Sequence, residues 1–271
     1  VTNPGWVGWR CSAVTTLGLV MAKAVIQVPV VDVPGWVVVR KRISRAKVLD
    51  YFGALPPCLV GIEACPSAHH WGRELQALGH IVKLMPPSYV KAYLKRSKND
   101  ANDAEAICEA VTRPSMRFVP IKTKEQQTAL MLHRARQLLV RQRTMLSNAI
   151  RGHLAELGIV SAKGRTGISG LLGIIVDEAD SRIAPAAHAI LDVLARQYSA
   201  IGAEIRSIDK SILAWHRSCE ASRRLEEIPG IGPIVATALV AEGGDWSKFR
   251  SGRNVAAWLG WGPWQPTTGR R

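Results

Sequence analysis

From Leu17 to Asp32 the chain reads LGLVMAKAVIQVPVVD, and past Pro34-Gly35 it reads WVVVRKRI. Both stretches are β-branched and partly alternating, which predicts neighbouring strands joined by turns. SRAKVLDYFGAL opens on Ser44 as an N-cap and sets Val48, Leu49 and Phe52 on one helical face. CLVGIEA is a short continuous apolar run, the pattern of a strand buried on both faces. SAHHWGRELQALG predicts a helix ending at Gly79, and HIVKLM a further strand. The alternation of strand and helix implies an α/β sheet.

Beyond Thr123 the period becomes helical. Leu132, Ala135, Leu138 or Leu139, Gln142, Leu146 and Ala149 recur at steps of three and four. Arg134, Arg136, Arg141, Arg143 and Arg151 stand off or beside that stripe. A second stripe runs through Ile190, Leu194, Tyr198, Ile201, Ile205, Ile208 and Ile212, and SAKGRTGISG between the two reads as a loop. Two long amphipathic helices around a connection predict an antiparallel arm or a dimerising coil. In LEEIPGIGPIVATALVAE, Pro229, Gly230, Ile231 and Gly232 separate two helical patterns. That is the arrangement of a helix-hairpin-helix, whose backbone N–H groups meet a phosphate, and also that of a plain glycine turn between core helices. Trp246, Trp258, Trp261 and Trp264 follow, able to stack on bases or to fill a core. The order of elements, three strands and then helix, strand, helix, strand, is that of ribonuclease-H-like nucleases, though other α/β folds share it.

Charge narrows the partner. Lysine and arginine outnumber aspartate and glutamate by 36 to 21, and from Pro114 to Arg151 eight basic residues face Glu125 alone. A spread of cations is what a phosphate backbone rewards, so nucleic acid ranks ahead of an anionic membrane, with a solvated basic face as the bland alternative. With 47% apolar residues among 271, the chain can build a sizeable core. No apolar run reaches the roughly 18 residues that span a bilayer. The beginning, VTNPGWVGWRC, shows no signal-peptide pattern, and five cysteines without a CxxC fit a reducing cytoplasm. His69-His70 lacks a second ligand pair for a metal.

In KRSKNDANDAEAICEAV, Asp100 and Asp103 follow the basic cluster of Lys95, Arg96 and Lys98. On a helix they share a face that continues through Ile107 and Ala110. Aspartates in a first helical turn are favoured for capping, while two neighbouring carboxylates also invite a divalent cation. Glu63 tilts this balance, because it ends the buried strand CLVGIEA, where a charge is hard to place except at a site. Three carboxylates in a basic chain point to magnesium-dependent phosphoryl transfer.

LVGIEACPSAHHWGRELQALGH, LMPPSYVKAYLKRSKNDANDAEAICEAV, RFVPIKTKEQQTALMLHRARQLLVRQRTMLSNAIRGHLAELGI, IPGIGPIVATAL and FRSGRNVAAWLG together resemble bacterial insertion-sequence transposases of the IS-one-ten family, eleven-eleven subgroup. The resemblance implies a RuvC-like domain with a DEDD carboxylate tetrad, a coiled-coil arm, and a transposase domain with a nucleophilic serine. It implies DNA recombination at element ends and targets, guided by a structured bridge RNA, with the serine attacking a DNA phosphate beside tetrad-held magnesium. Carried over, the tetrad glutamate is Glu63 and its last two aspartates are Asp100 and Asp103. Where the family has Gly-Leu-Asp on the first strand, this chain has Gly18-Leu19-Val20, and Asp32 is no clear substitute. Where the family has Ser-Ser-Gly, it has Thr267-Thr268-Gly269.

The resulting expectations are a non-family leader over 1–16, a RuvC-like domain over 17–121, a helical arm over 122–222 and a truncated transposase domain over 223–271. Nucleic-acid contacts are assigned to Lys95, Arg96, Lys98, Arg134, Arg136, Arg141, Arg143, Gly230 and Gly232. The metal ligands are Glu63, Asp100 and Asp103, and the catalytic set adds Thr267 and Thr268. The chain is expected in the bacterial cytoplasm at the nucleoid, as a homo-oligomer joined through its arm. Catalysis is expected to be weakened or lost, and the alternatives are a branched-DNA nuclease and a non-catalytic nucleic-acid-binding remnant.

Overall fold

The computed structural model describes residues 16–21, 25–31, 37–90, 100–113, 116–243, 251–252 and 254. They group into two compact units. One comprises residues 1–123 with 244–271, the other 124–243.

The first unit is built on strands β1 (Thr16–Met21), β2 (Val25–Val31), β3 (Val37–Ser44), β4 (Leu59–Glu63) and β5 (Ile81–Met85). They form one sheet in the order β3-β2-β1-β4-β5. β1 pairs antiparallel with β2 and parallel with β4, β2 antiparallel with β3, and β4 parallel with β5. This is the sheet of the ribonuclease-H-like fold. The antiparallel part is two local hairpins, and the parallel part needs crossovers, which carry the helices α1 (Val48–Gly53) and α2 (Ala68–Ala77); α3 (Pro87–Val90) and α4 (Asp100–Val111) follow the last strand. Val60 and Ile62 of β4 join Leu17, Leu19, Phe52, Leu75 and Leu84 in one core, and Ile107, Ala110 and Val111 of α4 build a second with Met85 and Val90.

Two local expectations need correction. Ser44 makes no capping hydrogen bond through its side chain, because a 3-10 turn over Arg45–Lys47 intervenes before α1 begins at Val48. Leu49 is exposed, since this short helix turns only Val48 and Phe52 inward, four residues apart.

The second unit holds α5 (Lys124–Glu156), α6 (Arg165–Val176), α7 (Pro185–Ser218), α8 (Glu220–Glu226) and α9 (Pro233–Gly243). α5 and α7 run antiparallel. Ala129 and Leu130 of α5 pack with Trp215 of α7, Arg136 pairs with Asp209, and Ile150 and Leu154 cluster with Leu191 and Ala195. α6 takes over the second part of the loop expected over SAKGRTGISG, from Arg165 onward. Ile168, Leu171 and Ile175 are buried at steps of three and four while Gly170 and Gly173 meet open space, so burial outweighs the poor helix propensity of glycine. The predicted stripes hold at most positions and miss at three. Ala135, Gln142 and Ile190 are exposed, and Arg136, Arg143 and Leu191 take inward places.

α8 and α9 are joined by a turn in which Gly230 has φ 91°, in the left-handed region. Gly230→Ala is expected to lower stability by about 1 kcal/mol in chemical denaturation, since a Cβ is strained at that φ whatever the space around it.

Candidate active site

The site is set by how β4 ends. Val60, Gly61 and Ile62 are buried, and Glu63 is half-buried at the strand's carboxyl end. Alternate residues of a strand share a face, so Glu63 lies on the same side of the sheet as Gly61. A Cβ on Gly61 would stand 3.0 Å from Ile107 and 3.1 Å from Val111, which identifies that side as the one α4 covers. Leu59, at the amino end of β4, joins the same cluster as Met116 and Phe118 beyond the carboxyl end of α4.

Asp103 and Asp100 are four and seven residues before Ile107, on the stripe that Ile107 and Val111 continue onto the sheet. Of these two aspartates the structure describes the backbone alone. On β1 the parallel register with β4 runs to Leu19 opposite Ile62, so Val20 and Glu63 occupy the next level of the two strands. The fold thus sets Val20 and Glu63 level on neighbouring strands, and lays the helix that begins at Asp100 on the face of β4 to which Glu63 belongs.

The turn after β4 is held by an arginine that sequence reasoning did not single out. The Ala64 N–H donates to the Met85 carbonyl at 2.8 Å, and Ser67 follows with a left-handed φ of 80°. Arg45 donates to Ser67 Oγ at 3.0 Å, and its guanidinium lies 5.7 Å from the ring centroid of Trp71. Its sequence signal is faint: one basic residue at the end of a basic strand. Cys65 in this turn is no ready nucleophile, because burial pushes its thiol up and the Glu63 charge pushes the same way. His69 accepts the Lys122 backbone N–H on Nδ1 at 3.2 Å, and His70 lies 3.7 Å from Glu74. Among the described residues no group of three or more His, Cys, Asp or Glu is gathered for a metal.

In the second unit Arg134 and Arg141 face solvent, Arg143 is half-buried, and Arg136 donates from Nε to Asp209 at 2.5 Å. The corner from α7 to α8 is fixed by His216, buried, with Nδ1 2.8 Å from Ser222 Oγ and Nε2 2.9 Å from Glu226. Ser222 is fully enclosed, so this serine–histidine–glutamate contact is a clamp between helices and offers no accessible hydroxyl. It holds α8 ahead of the turn carrying Gly230 and Gly232. Lys95, Arg96, Lys98, Asp32, Thr267, Thr268 and the four C-terminal tryptophans lie outside the described residues. No helix among the described residues is long and apolar enough to cross a membrane.

Residues 18–159 match the DEDD transposase model of the IS110 type, and residues 222–271 match the model described as transposase IS116/IS110/IS902 family. The chain is 44% identical over 247 residues to the y4pF/y4sB transposase of Sinorhizobium fredii, covering 91% of this chain and 63% of that protein. It is 46% identical over 254 residues to a probable family 20 transposase of Pseudomonas aeruginosa, covering 93% and 75%. With the transposase for insertion sequence element IS1111A of Coxiella burnetii it shares 35% identity over 255 residues, covering 94% and 70%.

Proposed function

The chain belongs to the IS116/IS110/IS902 family of DEDD transposases, and from that premise we propose that it binds the DNA ends and target of an insertion sequence together with a structured guide RNA. It does so as a homo-oligomer joined through its helical arm, in the bacterial cytoplasm at the nucleoid. Exposed Arg134 and Arg141, the basic run of Lys95, Arg96 and Lys98, and a helix-hairpin-helix formed by α8, α9 and the Gly230-Ile231-Gly232 turn supply the phosphate contacts. Arg136 and Arg143, nearer the interior of the arm, serve mainly to place it.

The observation that carries the catalytic reading is Glu63 at the end of β4, on the face covered by the helix that begins with Asp100 and Asp103. An all-oxygen donor set of this kind suits magnesium. Glu63, Asp100 and Asp103 would hold it, and when bound it supplies charge neutralisation at the scissile phosphate. Val20, level with Glu63, offers no oxygen, so the set is one ligand and one negative charge short of a tetrad. Thr267 and Thr268 stand at the nucleophile positions. Either hydroxyl can form an ester with the DNA phosphorus as the strand's phosphodiester bond breaks, but the extra methyl narrows its approach. The expected result is nucleic-acid binding with greatly reduced strand cleavage.

The test incubates the purified chain with magnesium, element-end DNA and guide RNA, and scores covalent protein–DNA adduct by denaturing electrophoresis. Robust adduct at Thr267 or Thr268 overturns the reduced activity. Val20 also favours a second reading, a non-catalytic nucleic-acid-binding protein, which predicts salt-dependent binding and no metal-dependent cleavage at any enzyme concentration.

A further inference from the structure

The arm buries only part of its apolar surface. On α5, Met131, Leu138 and Met145 are 68%, 50% and 70% exposed and stand seven residues apart, with exposed Ala135 and Gln142 between them. On α7, exposed Ile190, Val193, Gln197, Ala200 and Glu204 repeat the same steps of three and four. Each of these stripes runs one residue ahead of the stripe that faces the neighbouring helix: 135 and 142 precede half-buried Arg136 and Arg143, and 190 and 204 precede buried Leu191 and Ile205. One residue is a rotation of about 100° around a helix. In an antiparallel pair, the same sense of rotation puts both stripes on one side of the hairpin. A strict heptad seam with nothing opposite it among the described residues is the surface of an unfinished bundle.

We propose that this side is completed by a second copy of the same chain, α5 of one copy lying on α7 of the other about a two-fold axis parallel to the arm. This rests on the reading above that the protein self-associates through its arm, and names the surface and the pairing. Such an axis keeps every residue at its own height, and heights are fixed within the arm by the Arg136–Asp209 pair and by Ile150 and Leu154 beside Ala195 and Leu191. Counting equal steps from that pair, large α5 side chains fall level with small ones of α7: Met131 with Ala214, Leu138 with Ser207, Met145 with Ala200. Toward the other end the sizes exchange, Val193 of α7 lying level with Gly152 of α5, where a Cβ would meet nothing within 4 Å. Arg141 falls level with Glu204, both exposed. Size and charge are therefore complementary between α5 and the partner's α7. Stacking α5 on its own copy brings arginines together instead, since α5 carries no acidic residue between Glu125 and Glu156.

Sedimentation of the full chain without nucleic acid tests this. The unchanged chain is expected to dimerise at micromolar concentration. Leu138→Glu with Met145→Glu is expected to weaken the dimer at least about tenfold with unchanged helix content by circular dichroism. Arg141→Glu and Glu204→Arg should each weaken it, and together restore it. A monomeric unchanged chain overturns both the self-association and the surface. A dimer that survives Leu138→Glu with Met145→Glu overturns the surface while leaving self-association intact. Loss of the dimer in the double variant without rescue by the charge exchange overturns the pairing of α5 with α7.

Discussion

Val20→Asp is expected to raise magnesium-dependent cleavage of element-end DNA by about 10²–10³-fold, the equivalent of roughly 3–4 kcal/mol of transition-state stabilisation from one further ligand and its charge. The expectation follows from the sheet register. Val20 stands one level past the Leu19–Ile62 pair, beside Glu63 on the neighbouring strand. Divalent-cation affinity, read by calorimetry, should rise in the same variant, and Val20→Asn, which adds oxygen without charge, should recover less. Tighter cation binding with unchanged cleavage would move the defect to Thr267 and Thr268. No change in either measurement removes Val20 from the site.

The second large effect is at Gly61. Its missing Cβ leaves the space that Ile107 and Val111 occupy, with Met85 at 3.1 Å on the third side. Gly61→Val would force three buried side chains to move, and overpacking of this kind costs about 3 kcal/mol. Chemical denaturation should show that loss, and cation affinity should fall with it because α4 carries Asp100 and Asp103. Adding Ile107→Ala to the valine variant makes room and should recover part of the stability. A valine variant as stable as the parent would mean that α4 is not held against β4 at this point.

Much of this was legible in the sequence. CLVGIEA announces a buried strand because neither face of β4 meets water, and its one charge, Glu63, stands out against that run. KNDANDAEAI announces a helix that begins with carboxylates and turns apolar at Ile107. What the sequence hid has physical causes. The helix α6 is glycine-rich and is held by the burial of Ile168, Leu171 and Ile175, a tertiary effect that propensity does not carry. On α5 two apolar stripes lie about 100° apart, so periodicity alone could not tell the inward one from the outward one, and Ala135 and Gln142 were assigned inward. Arg45 takes its place against Ser67 and Trp71 only through the turn that follows a distant strand. The Arg136–Asp209 pair joins residues 73 apart in the chain.

The sheet order also bears on how the protein behaves at high concentration. β3 stands at the end of the sheet, paired with β2 on one side. An edge strand is a template on which another chain can extend the ladder, and three successive valines, Val37 to Val39, are a sticky beginning for one. The same strand continues through Arg40, Lys41 and Arg42, with Lys41 and Arg42 exposed and Lys41 drawn 4.8 Å from the ring centroid of Tyr51. Stacking a second β3 on this edge would press like charges together and strip their water. The basic run thereby acts as a gatekeeper against fibrous aggregation, a duty separate from any contact with nucleic acid.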